Sequence, residues 1–180
     1  MMKLVKHNSS KTTGYHIFLE PENQLRDKLQ NIINTLSTKY SGPHFSPHVT
    51  LLAEITGNSD EYVIKKTKEL AKEIEPFSIS LKGMGTNSVY FQACFLKLID
   101  ENLITYYNKK AKKLFSMNNP KEYLPHMSLF YGNITESETE KIISEIQLPN
   151  QPLEFEVNKL HIYRTPGTVD TWVKIAEVFI

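Results

Sequence analysis

Two short strings hold the residue types that could do chemistry: Pro47-His48-Val49-Thr50-Leu51-Leu52 and Pro125-His126-Met127-Ser128-Leu129-Phe130. In each, an imidazole and a hydroxyl stand two positions apart within an apolar, strand-like run. Strand side chains alternate between faces, so His48 and Thr50 point the same way, as do His126 and Ser128. Facing one another, these pairs would surround a phosphate with what metal-free phosphodiester hydrolysis requires. One imidazole takes a proton from the attacking water, and the other gives a proton to the departing alkoxide on the far side of phosphorus. Histidine suits both tasks because its ordinary pKa, about 6.5, leaves both forms accessible near neutrality. Thr50 and Ser128 would donate hydrogen bonds to the non-bridging oxygens as charge builds there.

Context separates these strings from chance. His7-Asn8-Ser9 and His44-Phe45-Ser46 have the same spacing. The first lies in a polar stretch and the second in the loop Ser41-Gly42-Pro43-His44-Phe45-Ser46-Pro47, and neither alternates as a strand does. The other two share a preceding proline, which favours extended backbone, and apolar residues on both sides of the hydroxyl. A lone strand histidine beside a hydroxyl is more often a satisfied structural group. Two matched copies favour a working pair. No metal or cofactor is expected, because the 6 histidines lack ligand spacing and no acid stands between histidine and hydroxyl in either string.

The elements that must position these groups follow from periodicity and breakers. A strand over 15–20 is stopped by Pro21. Leu25, Leu29, Ile32, Ile33 and Leu36 mark a helix over about 22–40. The first motif strand spans about 47–54, a helix follows over 59–75, and a strand begins at Phe77. Residues 89–98 read as one long apolar strand, and a helix covers about 101–117, ending near Asn118-Asn119-Pro120. The second motif strand spans about 126–131. Thr135-Glu136-Ser137-Glu138 reads as a helix N-terminus, with that helix ending near Leu148-Pro149. Strands over 153–164 and 171–179 close the chain.

This order, strand-helix-strand-helix-strand given twice with one extra strand, predicts a single α+β domain over 1–180 with an internal repeat of about 15–85 and 89–180. Its two pseudo-symmetric lobes, interleaved along the chain, would each hold a mainly antiparallel sheet with flanking helices. The motif strands would meet at a cleft between them.

Composition bounds the partners. Formal charge is +1, from 21 basic and 20 acidic residues, so no strong field draws in a long polyanion. A small-molecule phosphate fits better than a long nucleic acid. Lys109, Lys110, Lys112 and Lys113 read as a solvated helix face. Cys94, the 1 cysteine, excludes an internal disulfide and reads as core. His16 and His161 read as strand residues without catalytic duty. The N-terminal stretch has no apolar core of a secretory signal, and no run of about 18 apolar residues would span a bilayer. A cytoplasmic monomer is the expectation.

The paired strings resemble the 2H phosphoesterase superfamily, and within it the cyclic phosphodiesterase branch of plants and fungi. The likeness runs along nearly the whole chain: Tyr15 to Pro21, Ser41 to Thr50, Tyr90-Phe91-Gln92-Ala93-Cys94-Phe95-Leu96, Tyr123 to Tyr131, and Thr171-Trp172 onward. It implies a bilobal fold with a central cleft and hydrolysis of ADP-ribose 1'',2''-cyclic phosphate and nucleoside 2',3'-cyclic phosphates. The products would be the 1''- and 2'-monophosphates, with tRNA splicing and RNA metabolism as the setting. His48 and His126 would be catalytic, with Thr50 and Ser128 holding phosphate; separately from the resemblance, His126 is assigned as the base and His48 as the acid, an order the sequence does not fix. The resemblance implicates Tyr131 as well, although strict alternation puts that residue on the other face and favours a structural role. Phe18 stands where the branch often has a tryptophan near the base or ribose. Two alternatives stay open: a 2'-5' RNA ligase-like or RNA-end-processing enzyme of the same superfamily, and a nucleotide-binding module without turnover.

Overall fold

The structure, a computed structural model, describes residues 10–118 and 122–180. The His7-Asn8-Ser9 string and the helix stop at Asn119-Pro120 lie outside the described residues. The elements are β1 (Tyr15–Leu19), α1 (Asn23–Tyr40), β2 (Val49–Ile55), α2 (Asp60–Ala71), β3 (Phe77–Gly85), β4 (Cys94–Leu98), α3 (Asn102–Leu114), β5 (His126–Phe130), α4 (Glu136–Glu145), β6 (Leu153–Val157), β7 (Lys159–Arg164) and β8 (Val173–Phe179). The fold is α+β and bilobal. Its 8 strands form one sheet in the order β6-β3-β4-β5-β2-β1-β7-β8, and all pairings are antiparallel.

Strand order divides this sheet at its middle. The motif strands β2 and β5 are the innermost members of their halves and meet at the pair Val49–Met127. One half takes β1, β2, β7 and β8 from both ends of the chain, and the other takes β3 to β6. The helices cross this boundary: α1 packs on β5, and α3 packs on β2. Each motif strand is therefore backed by a helix that leads into the other motif. The backing face carries Val49, Leu51, Met127 and Leu129, all at most 1% exposed. Full burial of such a side chain contributes about 1.5–3 kcal/mol.

Two readings of the chain need correction. The run 89–98 is not one strand. Tyr90–Gln92 forms a 3-10 turn, closed by Gln92 N–H to the Val89 carbonyl at 2.8 Å and Asn87 N–H to the Gln92 carbonyl at 2.9 Å. Hydrophobicity foretold the burial of Tyr90 but not the local bonds that curl its backbone. The run 153–164 breaks at Asn158 into β6 and β7, which belong to opposite halves. The helix N-terminus at Thr135 is as expected: a capping box in which Thr135 and Glu138 satisfy each other's backbone N–H.

The loop before His48 is built by α1. Ser41 caps that helix in the left-handed region at φ 56°. Ser37 Oγ donates to the Pro43 carbonyl at 2.7 Å, and Gln30 Nε2 donates to the Phe45 carbonyl at 2.9 Å. At Gly42 the loop runs against β5 so closely that a Cβ would lie 2.5 Å from the Phe130 ring, itself 0% exposed. Gly42→Ala should therefore destabilise the protein by about 1–3 kcal/mol, the usual range for overpacking. Chemical denaturation measures this, and an unchanged midpoint would show that the loop does not need the close approach.

Candidate active site

The rung Val49–Met127 sets the geometry of the cleft. One step either way puts His48 across from Ser128 and Thr50 across from His126, on the face opposite the core. Directly opposed side chains in such a ladder have Cβ atoms about 4.5–5.5 Å apart, and diagonal ones about 7–8 Å. All four side chains line one cleft of about 380 Å³, together with Phe18, Tyr131, Phe91, Tyr123 and Trp172. The structure thus gathers all six residues singled out from sequence around one cavity.

Both histidines are held by the same device. His48 Nδ1 lies 2.6 Å from the Ser46 carbonyl, and His126 Nδ1 lies 2.7 Å from the Leu124 carbonyl. A carbonyl only accepts, so each Nδ1 carries the proton and each Nε2 is left for the cleft. Phe18, 2% exposed, stacks on the His48 ring at 3.7 Å between centroids and 20° between planes. It supports the imidazole from beneath. Phe95 fills the corresponding place beside His126, at 4.9 Å.

Tyr131 reaches the site because β5 ends at Phe130, so alternation no longer governs the next residue. Its hydroxyl lies 3.5 Å from His48 Nε2, and its ring stacks on Phe45 of the loop at 3.8 Å. Burial raises its pKa, so it stays protonated. The Ser128 hydroxyl donates to the Phe91 carbonyl at 2.7 Å and would turn from that bond to meet a phosphate oxygen. Tyr123 donates to the Thr50 carbonyl at 2.7 Å and ties the segment before the second motif to the first.

Desolvation dominates the electrostatics. Burial pulls His48 down to about 4, working against the Ser46 carbonyl and the Glu20 charge, while His126 adds a small depression. His126 is also lowered by burial, opposed by the Leu124 and Phe91 carbonyls. His16, expected to be an ordinary strand residue, lines the same cleft at 6% exposed. Burial, then the neighbouring His48, pulls it down to about 3. Among the described residues its Nε2 has no hydrogen-bond partner. Lys112, expected on a solvated face, is half-buried and lines the cleft with Lys11, Glu54 and Glu122. Cys94 is core, 0% exposed, with its thiol pushed up to about 12 by burial. Among the described residues, no cluster of three or more His, Cys, Asp or Glu could hold a metal ion, and no helix is long and apolar enough to cross a membrane.

Sequence reasoning missed Trp172, Tyr123 and His16 as cleft residues. Trp172 had a signal, being the 1 tryptophan in the chain. Its indole N–H donates to Thr12 Oγ1 at 2.9 Å, which holds the ring at the cleft. Tyr123 and His16 had none beyond their closeness to motif segments.

Comparison with known proteins gives a consistent result. The sequence profile of the 2'-5' RNA ligase superfamily matches residues 19–168. A cyclic phosphodiesterase of Arabidopsis thaliana is 25% identical over 169 residues, covering 90% of this chain and 92% of its own. An RNA 2',3'-cyclic phosphodiesterase of Methanocaldococcus jannaschii is 26% identical over 128 residues, covering 67% and 72%. The crystal structure of E. coli LigT complexed with 3'-AMP superposes with a TM-score of 0.61 at 12% identity, covering 94% of this chain and 99% of that one. That likeness is one of fold.

The buried imidazoles make stability depend on pH. An unfolded histidine takes up a proton near pH 6.5, whereas folded His16 resists until about 3 and folded His48 until about 4. Between those values the unfolded chain binds more protons, so stability falls as pH falls, by about 1.4 kcal/mol per pH unit for each group. Melting temperature should hold above pH 7 and drop below about 6.5. His16→Leu removes an unsatisfied buried nitrogen and should flatten that slope without lowering stability at neutral pH. Thermal melts at several pH values measure both, and an unaltered slope would remove His16 as a cause.

Proposed function

The chain belongs to the 2'-5' RNA ligase superfamily, and from that premise we propose that it hydrolyses cyclic phosphodiesters without a metal. Nucleoside 2',3'-cyclic phosphates would open to 2'-monophosphates, and ADP-ribose 1'',2''-cyclic phosphate to ADP-ribose 1''-phosphate. The observation that carries this reading is the matched pair of imidazoles. Each is tied back through Nδ1 to a carbonyl two residues earlier, and both line one cleft with two hydroxyl residues. The names of the plant and archaeal relatives support the reaction class. LigT in complex with 3'-AMP supports a ligand of nucleotide size.

In the proposed reaction, water attacks phosphorus in line with the bond to the departing ribose oxygen. The Nε2 of one histidine takes the water proton, and the Nε2 of the other protonates the departing oxygen as its bond to phosphorus breaks. Solvent exchange then restores both protonation states. From sequence, His126 is assigned as base and His48 as acid, an order that the sequence itself does not fix. The surroundings favour the reverse. Burial holds His48 down to about 4, and therefore neutral. Burial lowers His126 as well, but there the Leu124 and Phe91 carbonyls both work against it. The anionic phosphate, once bound, raises both. Thr50, Ser128 and Tyr131 would hold the non-bridging oxygens, with Phe18 acting through His48. The relative acting on RNA gives the runner-up substrate, an oligonucleotide ending in a 2',3'-cyclic phosphate.

Purified protein should hydrolyse at least one of these cyclic phosphates in the presence of EDTA, with a bell-shaped pH profile. Phosphorus NMR identifies the monoester formed. His48→Ala and His126→Ala should each lower kcat by roughly 10²- to 10⁴-fold while the circular dichroism spectrum is kept. Full turnover by either variant would remove that histidine from the reaction. Binding without turnover in the unaltered protein would favour the nucleotide-binding module.

A further inference from the structure

Next to the cavity lined by Ser46, His48 and Tyr163 lies a second set of buried polar groups that the reaction does not use. Glu20 follows β1 directly and is 6% exposed. Its Oε1 accepts from the Tyr163 hydroxyl at 2.5 Å, and its Oε2 accepts from Lys174 Nζ at 2.9 Å. The Tyr163 ring packs on Phe18 at 4.9 Å, and Phe18 stacks on His48 at 3.7 Å. Ser46 is the residue whose carbonyl holds His48 Nδ1 at 2.6 Å. Tyr163, Phe18, Ser46 and His48 line one cavity, so the phenol bonded to Glu20 stands beside the serine that holds the imidazole.

We propose that Glu20 and Tyr163 are positioning residues for His48, fixing the Ser46 segment whose carbonyl orients its ring. This rests on the reading of His48 as a proton-transfer group.

The polar groups around this array account for its charge state. Burial opposes the Glu20 charge, but the hydrogen bonds from Tyr163 and Lys174 and the Lys174 charge outweigh it and keep Glu20 ionised. His161 Nδ1 lies 3.1 Å from Lys174 Nζ and 3.5 Å from Glu20 Oε2. An ammonium can only donate, so Nδ1 accepts and His161 is neutral, in line with the lowering that burial imposes on it. A buried carboxylate is costly to keep unless it serves a specific arrangement, and apolar residues would pack this corner at lower cost. Phe18 joins the two ends of this array, stacking on the His48 ring and packing against Tyr163. The other groups facing His48 are His16 from β1, His126 and Tyr131 from β5 and its end, and His44 and Asp170 around a second cavity of about 250 Å³. Of these, Glu20 is the one whose charge raises His48.

The test is an NMR titration of the imidazole resonances in the unaltered protein, Glu20→Gln and Tyr163→Phe, alongside kcat/KM against pH for a nucleoside 2',3'-cyclic phosphate. Loss of the carboxylate charge destabilises the His48 cation. Its titration should therefore move to lower pH in Glu20→Gln while that of His126 stays in place. The acid limb of kcat/KM should follow His48, and kcat should fall roughly three- to tenfold through a weaker base with KM unchanged. Tyr163→Phe keeps the charge and loses the hydroxyl bonded to Glu20, so kcat should fall with little movement of the limb. It also serves as the test if Glu20→Gln does not fold. An unmoved His48 titration in Glu20→Gln, or unchanged kcat in Tyr163→Phe, would overturn the proposal. If the unaltered protein turns over no cyclic phosphate, the functional reading fails, while the titration still decides whether Glu20 controls His48.

Discussion

The pair Val49–Met127 is where the halves of the sheet meet, and the cleft inherits its geometry from that pair. Because side chains alternate, one register fixes four neighbours: His48, Thr50, His126 and Ser128 all turn away from the core when Val49 and Met127 turn into it. A slip of one residue in either strand would bury an imidazole and a hydroxyl and expose an apolar side chain in the cleft. Burial of Val49 and Met127 at 0% exposure makes that slip costly. Two polar contacts reinforce the same register. Asn108 on α3 donates to the Leu51 carbonyl at 2.7 Å, and Tyr123 donates to the Thr50 carbonyl at 2.7 Å. Since α1 backs β5 and α3 backs β2, neither half can shift without disturbing packing in the other.

The same burial that fixes the register determines the electrostatics. Aromatic walls lower the local dielectric, which strengthens every charge interaction in the cleft and penalises any charge left alone. Among the described residues, the cleft lining holds no arginine, and its lysines, Lys11 and Lys112, are matched in number by Glu54 and Glu122. In the proposed reaction, positive charge for a phosphate would then come largely from an imidazole that has taken up a proton, and one proton would serve both affinity for the anion and availability of the acid.

What was legible in the sequence was local. Alternation in the two strings gave the shared faces of His48 with Thr50 and His126 with Ser128, and leucine and isoleucine spacing gave α1. The Thr135–Glu138 capping box was visible because all its partners lie within one turn. The resemblance drawn from the motifs agrees with the superfamily match over 19–168. What stayed hidden depended on partners distant in sequence. Alternation misplaced Tyr131 because it assumes that the strand continues past Phe130. The 3-10 turn at Tyr90 and the break at Asn158 carry no glycine or proline to mark them. Glu20 gave no sign of its partners, because Tyr163 and Lys174 lie 143 and 154 residues away.

The backbone treats the two motifs alike, with matching strands, matching carbonyl tethers and matching innermost positions in the sheet. Acid-base catalysis needs the opposite, two groups of the same kind whose protonation differs at one pH. Here the difference comes from the surroundings that symmetry does not copy. His48 lies between Phe18 and the loop ring of Phe45, with the neutral His16 and an ionised carboxylate nearby. His126 has Phe95 and two carbonyls, and no carboxylate contributes to its balance. β1 supplies much of this inequality, through His16 and Phe18 on one face of the strand and Glu20 just beyond its end. One strand of ordinary length thus turns a duplicated arrangement into two distinguishable imidazoles, which is the condition that the proposed reaction imposes on the pair.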